Sequence, residues 1–236
     1  MEFQIKLINK LLVKHFGVPP RSKKLPDPVD LLIATILSQN TNDKNSYKAF
    51  TNLKQKFSNW EEVAELPRKK IEQIIKVAGL GKQKSAAIKN FLTKVKTERD
   101  KINLNYLSKM SNEDILKELT SFNGIGIKTA ACVLLFSLSR NVCPVDTHVH
   151  RTLNRIGLVK TSSPDKTFYA ISMKLPEGIA HQFHTNLIRL GREICKPAKP
   201  LCSICPLLKA CHYESKSFQV SNNYKQNSFM LLDEIH

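Results

Sequence analysis

Four cysteines near the C-terminus, Cys195, Cys202, Cys205 and Cys211, follow the spacing C-x6-C-x2-C-x5-C. Four thiolates gathered by short loops can hold a tetrahedral zinc ion or an iron–sulfur cluster, and such a centre lends folding energy to a loop-rich segment. Only Cys202 and Cys205 make a C-x2-C knuckle, unlike zinc ribbons built from two separated knuckles. A disulfide framework is the lesser reading, because Cys132 and Cys143 would be left over and no secretory signal precedes the chain. Spacing alone leaves the metal open.

A second pattern lies upstream. Gly124-Ile125-Gly126 joins one helical stretch to the next, which opens with Lys128-Thr129. Both glycines are expected to permit positive φ and close backbone approach, with Ile125 plugging the turn into the core. Amides of the turn and of the following helical turn then form an anion site that suits a DNA phosphate without reading a base. Lys128 stands where a helix N-terminus disfavours an ammonium relative to a neutral amine. Desolvated among other cations, such an amine becomes a nucleophile; solvated, it is a surface lysine touching phosphate. Further on, Asp146 in Val145-Asp146-Thr147-His148 precedes a helical pattern and reads as its cap. One carboxylate oxygen can cap while the other steadies a developing sugar cation or accepts a proton.

The chain that must position these groups has 236 residues, with 37 Lys and Arg against 20 Asp and Glu, a net charge of +17. Such self-repulsion makes nucleic acid the leading partner. No apolar run approaches the ~18 residues needed to span a bilayer, so no membrane association is expected and the protein is read as intracellular. Helical periods dominate and strand signals are nearly absent, which predicts an all-α fold. Phe3, Ile5, Ile8, Leu11, Leu12 and Phe16 mark a first amphipathic helix, and Asp30 is read as the cap of an apolar helix over 31–37. Further helices are expected at about 43–57, 68–76, 83–96, 111–121, 127–139, 147–156, 165–174 and 177–190. Residues 213–236 read as a mobile tail whose apolar end, Phe229-Met230-Leu231-Leu232, could dock.

The run from Gly124-Ile125-Gly126 through Lys128-Thr129-Ala130 to Val145-Asp146-Thr147-His148, followed by the four cysteines, resembles the endonuclease III family. These are helix–hairpin–helix DNA glycosylases carrying a [4Fe–4S] cluster, and the resemblance covers about 1–212. It implies that Cys195, Cys202, Cys205 and Cys211 bind the cluster, that Lys128 is the amine nucleophile and that Asp146 is the essential carboxylate. It also implies two interleaved lobes, 22–140 with the hairpin and 1–21 plus 141–212 with the cluster. Leu37-Ser38-Gln39-Asn40-Thr41-Asn42-Asp43 resembles the loop that fills the gap left by an extruded nucleotide, through Asn40 or Gln39. Gly79-Leu80-Gly81-Lys82-Gln83-Lys84-Ser85 resembles the second wedge, with Leu80 as its apolar tip and Lys82 or Lys84 near phosphate. Gly124, Gly126, Thr129, His148, Lys196 and Lys199 complete the expected DNA contacts, the two lysines pressed onto the backbone by the tethered cysteine loop.

The implied function is a bifunctional DNA glycosylase and abasic-site lyase, a monomer acting on damaged double-stranded DNA, with oxidised pyrimidines as substrates. A monofunctional mismatch or adenine glycosylase would lack the nucleophilic lysine, and Thr35 lies near where adenine glycosylases place a catalytic glutamate. A non-catalytic iron–sulfur DNA-binding module is the alternative from another class; the pairing of Lys128 with Asp146 opposes it.

Overall fold

The computed structural model describes residues 1–218 and 235. Among them are eleven α-helices and no strand: α1 (Glu2–Phe16), α2 (Pro28–Ser38), α3 (Asp43–Lys56), α4 (Trp60–Glu65), α5 (Arg68–Ile75), α6 (Gly81–Arg99), α7 (Asn112–Thr120), α8 (Ile127–Cys132), α9 (Thr147–Ile156), α10 (Pro164–Ser172) and α11 (Ala180–Arg189). Among the described residues no helix is long and apolar enough to cross a membrane. The helices sort into two units, Ser22–Arg140 and Met1–Arg21 with the described part of Asn141–Ser228.

In the first of these, α2 is the central element. Asp27 caps it, its carboxylate accepting from the amides of Val29 at 2.8 Å and Asp30 at 3.1 Å, and Pro28 fits the first position because it needs no donor there. The cap is therefore Asp27, not Asp30. Asp30 lies inside the first turn, where its buried carboxylate accepts the Trp60 indole N–H at 2.6 Å and pairs with Lys54 at 3.0 Å. Residues 28–37 are all buried, since α2 packs against α3, α6 and α8, and a helix wrapped on several sides must be apolar all round. Helix α4 was not expected from sequence; only six residues long, it shows no full period, and Asn59 is its cap.

The helix expected over 127–139 is α-helical only to Cys132, then widens into a π-turn over Val133–Ser137. The helix expected over 177–190 starts later, at Ala180, and widens likewise over Leu190–Ile194, immediately before the first cysteine of the metal motif. Such insertions re-aim whatever follows them.

In the second unit, α11 is the organiser. Asn186 donates to the Gly17 carbonyl and Arg189 to that of Phe16, each at 3.0 Å, which ties down the end of α1. Residues 213–217, expected to begin a mobile tail, are held instead. Tyr213 lies under the Arg155 guanidinium, and the Ser217 carbonyl accepts the Cys202 amide at 3.1 Å. The apolar end at 229–232 lies outside the described residues.

Candidate nucleic-acid interface and active site

Three loops of unit Ser22–Arg140 carry the expected DNA contacts. After α2, Gln39 and Asn40 are exposed, and Asn40 is left-handed at φ 49°. After the 3-10 turn Lys76–Ala78, Leu80 is left-handed at φ 48° and 45% exposed, an apolar side chain presented to solvent just before α6. Left-handed backbone costs a non-glycine L-residue about 1–2 kcal/mol, so surrounding structure must hold these tips. Lys82 is exposed beside Leu80.

Lys84 is a correction. Expected near phosphate, it is only 2% exposed. Its ammonium donates to the carbonyls of Leu37 and Ala78, each at 2.8 Å. The spacing of α6 explains this: Lys84 follows Lys82 by two positions, and two positions on a helix point to different sides.

The hairpin joins α7 to α8. Gly124 has φ +88°, and a Cβ there would stand 2.7 Å from the Ala87 Cβ of α6, so this position admits only glycine without displacement. The expectation of positive φ at Gly126 fails: its φ of −97° and ψ of 176° are ordinary extended backbone, and a Cβ there would meet nothing within 4 Å. Ile125 is buried as expected. The Gln39 side chain donates to the Gly124 carbonyl at 3.4 Å, linking the first loop to the hairpin. No side chain caps α8, which leaves its first amides without intrahelical partners. Lys128 stands in that first turn, half-buried. Thr129 is 3% exposed, so its side chain faces the core and only its backbone N–H remains for an anion.

In the unit containing α9, Asp146 caps that helix as expected, its Oδ1 accepting the Val149 amide at 2.8 Å. His184 of α11 donates through Nδ1 to the Pro144 carbonyl at 2.9 Å, which fixes the segment entering the cap. His148 lies half-buried against Gly191, where a glycine Cβ would come within 2.8 Å of the histidine Cβ. Burial first, then the Arg151 and Arg192 charges, push the His148 imidazole down, while Asp146 opposes them. That shift favours the neutral imidazole over the cation.

The cysteine loop hangs from two arginines that the sequence reading passed over. Arg151 donates to the Cys195 carbonyl at 3.0–3.1 Å and to that of Gly191 at 2.7 Å. Arg155 donates to the carbonyls of Lys196 at 2.8 Å and Pro197 at 2.7 Å, and its guanidinium lies 3.6 Å from the Cys195 sulfur. Their i, i+4 spacing on α9 was the available signal. Lys196 and Lys199 are exposed on the loop so held.

Among the described residues no group of three or more His, Cys, Asp or Glu side chains forms a ready-made cage. The Cys205 thiol is pushed up to about 12 by burial first and, less strongly, by Cys195, Cys211 and Cys202, against a lowering hydrogen bond at the Leu207 backbone. Arg155 lies beside Cys195, where a cation suits a thiolate-bound group of net negative charge. Four cysteine thiols on one loop are the donor type an iron–sulfur group takes, although among the described residues they form no ready-made cage.

Comparison with known proteins finds relatives and solved structures among DNA repair proteins. Residues 33–177 match the HhH-GPD superfamily of base excision DNA repair proteins. A putative DNA glycosylase of Arabidopsis thaliana is 37% identical over an alignment of 190 residues that covers 76% of this chain and 65% of the plant protein. An endonuclease III of Thermotoga maritima is 35% identical over 209 residues, 89% of this chain and 92% of the relative. A trapped endonuclease III–DNA covalent intermediate is similar in structure, with a TM-score of 0.75 and 25% identity, covering 90% of this chain and 96% of that one.

Proposed function

The chain belongs to the endonuclease III family, within the HhH-GPD superfamily of base excision DNA repair proteins, and from that premise we propose that this DNA glycosylase is also an abasic-site lyase acting on oxidised pyrimidines. The observation that carries the reading is Lys128 in the uncapped first turn of α8, two residues after Gly126, where a Cβ would meet nothing within 4 Å. The similar covalent intermediate supports it, because a protein–DNA bond needs a protein nucleophile.

The target nucleotide leaves the stack before chemistry, since C1′ is out of reach inside the duplex. The Lys128 lone pair attacks C1′, the glycosidic bond breaks, and its electron pair leaves with the base, which takes up a proton. Asp146 stabilises the positive charge that develops on the sugar. The sugar ring opens to an imine between C1′ and Lys128. That imine draws electrons from C2′, whose proton is lost, and the C3′–O bond breaks to release the phosphate. The hairpin amides, Lys82, Lys196 and Lys199 bind phosphates; Asn40 or Gln39 fills the gap and Leu80 wedges the opposite stack.

Cys195, Cys202, Cys205 and Cys211 would hold a [4Fe–4S] cluster, which supplies folding energy to the loop carrying Lys196 and Lys199. An adenine-glycosylase reading finds no support at Thr35, which is fully buried with its hydroxyl donated to the Leu31 carbonyl at 2.8 Å.

The test is strand cleavage of duplexes containing thymine glycol, dihydrouracil, uracil opposite guanine, adenine opposite 8-oxoguanine, or an abasic site. Cleavage of the first two and of the abasic duplex is expected. Base release without cleavage at the abasic site would reduce the protein to a monofunctional glycosylase.

A further inference from the structure

Lys84 is among the largest fully buried side chains of the described residues, and the proposed chemistry makes no use of it. Its Nζ donates to two carbonyls far apart in sequence. The Leu37 carbonyl lies at the C-terminal end of α2, three residues before Asn40; the Ala78 carbonyl ends a 3-10 turn, two residues before Leu80. Both tips are left-handed at non-glycine residues and exposed. One buried amino group thus ties the roots of two strained, exposed tips, and it satisfies helix-end carbonyls that would otherwise lack partners. The negative end of each helical segment also favours a cation there. Three residues further along α6, Ala87 meets Gly124 of the hairpin.

We propose that Lys84 is a positioning residue that couples the two DNA-inserting loops, so that the gap-filling side chain at 39–40 and the wedge at Leu80 enter the duplex as one body. This rests on the reading of those loops as DNA-inserting. Coupling matters because filling a gap and prising open a stack help only when they coincide; either alone meets paired, stacked DNA. A lysine that merely fills the core would support the fold without affecting one step of the reaction more than another.

The test compares wild type with Lys84→Met, which keeps length and apolar bulk but cannot donate. Two duplexes are used: one with dihydrouracil paired to adenine and 2-aminopurine beside it to report unstacking, and one with an abasic site, where no base needs extrusion. With Lys84→Met the 2-aminopurine rise and base release should slow by about tenfold or more, while β-elimination at the abasic site stays within about twofold of wild type. Equal losses on both duplexes would overturn the proposal and leave Lys84 a core residue. Asn40→Ala and Leu80→Ala separate the two readings. If they slow extrusion and Lys84→Met does not, the coupling falls and insertion stands; if neither slows extrusion, the insertion reading falls and takes the coupling with it.

Should Lys84→Met fail to fold, hydrogen exchange in the wild-type protein decides. Amides of 39–42 and 79–82 should open at one common rate. Opening rates differing by more than about tenfold would overturn the tie.

Discussion

Gly124 lies so close to Ala87 that a β-carbon on the glycine would stand 2.7 Å from that of the alanine. The hairpin is therefore seated on α6, the helix that begins at the Leu80 tip, and its position depends on a missing side chain.

The two hairpin glycines should behave differently. Gly124→Ala combines a clash with a φ of +88° and should lower stability by about 1–3 kcal/mol, read as a shift in the urea midpoint. Gly126→Ala meets nothing within 4 Å and should leave stability within about 0.5 kcal/mol. Bulkier Gly126→Val should weaken binding to damaged and undamaged duplexes alike. Unchanged affinity in Gly126→Val would mean that the hairpin is only a turn.

Lys128→Gln should abolish borohydride trapping and β-elimination, a loss of at least about 10³-fold, while still binding duplex DNA. Asp146→Asn should slow base release by about 10²–10³-fold with the fold intact, because an amide caps a helix adequately but does not stabilise a cation. Full trapping by Lys128→Gln would make another amine the nucleophile.

Gly191→Ala places a methyl group 2.8 Å from the His148 Cβ and 3.3 Å from the histidine backbone, two residues beyond Asp146. The start of α9 must shift, so kcat should fall along with about 1–3 kcal/mol of stability. A variant of normal activity would show that the Asp146 segment tolerates displacement.

Anaerobically purified protein should carry about four irons per chain, and Cys202→Ser should lose them and expose 192–212 to protease. Stoichiometric zinc in protein made with ample iron would displace the cluster assignment.

Burial pushes the Lys84 amino group down to about 8 from 10.5. Between these values the unfolded chain binds the proton that the folded one has lost, so stability should rise with pH across that window. Even neutral, the amine keeps two donors for its two carbonyls. Urea unfolding of wild type and Lys84→Met from pH 7.5 to 10.5 should show the wild type gaining relative to the variant. A constant difference would mean that Lys84 titrates normally.

Much of the local structure under the proposed chemistry was legible in the residues alone, because it rests on local rules. A cap such as Asp146 is fixed by its own helix, a hairpin by two adjacent helices and its glycines, and a four-cysteine motif by spacing along the chain. The all-α class followed for the same reason, from apolar periods long enough to count; α4, too short for a period, escaped. What tertiary structure decided was direction and company. Sequence could not distinguish Lys82, in solvent, from Lys84, buried under two carbonyls, because the partners lie at Leu37 and Ala78 on other elements. Nor could it tell which hairpin glycine is irreplaceable, since that depends on Ala87 approaching from α6, or that Arg151 and Arg155 suspend the cysteine loop. Short-range hydrogen bonding and periodicity are written in neighbouring residues. The burial of a charge and the room left for a side chain depend on what the rest of the fold brings against them.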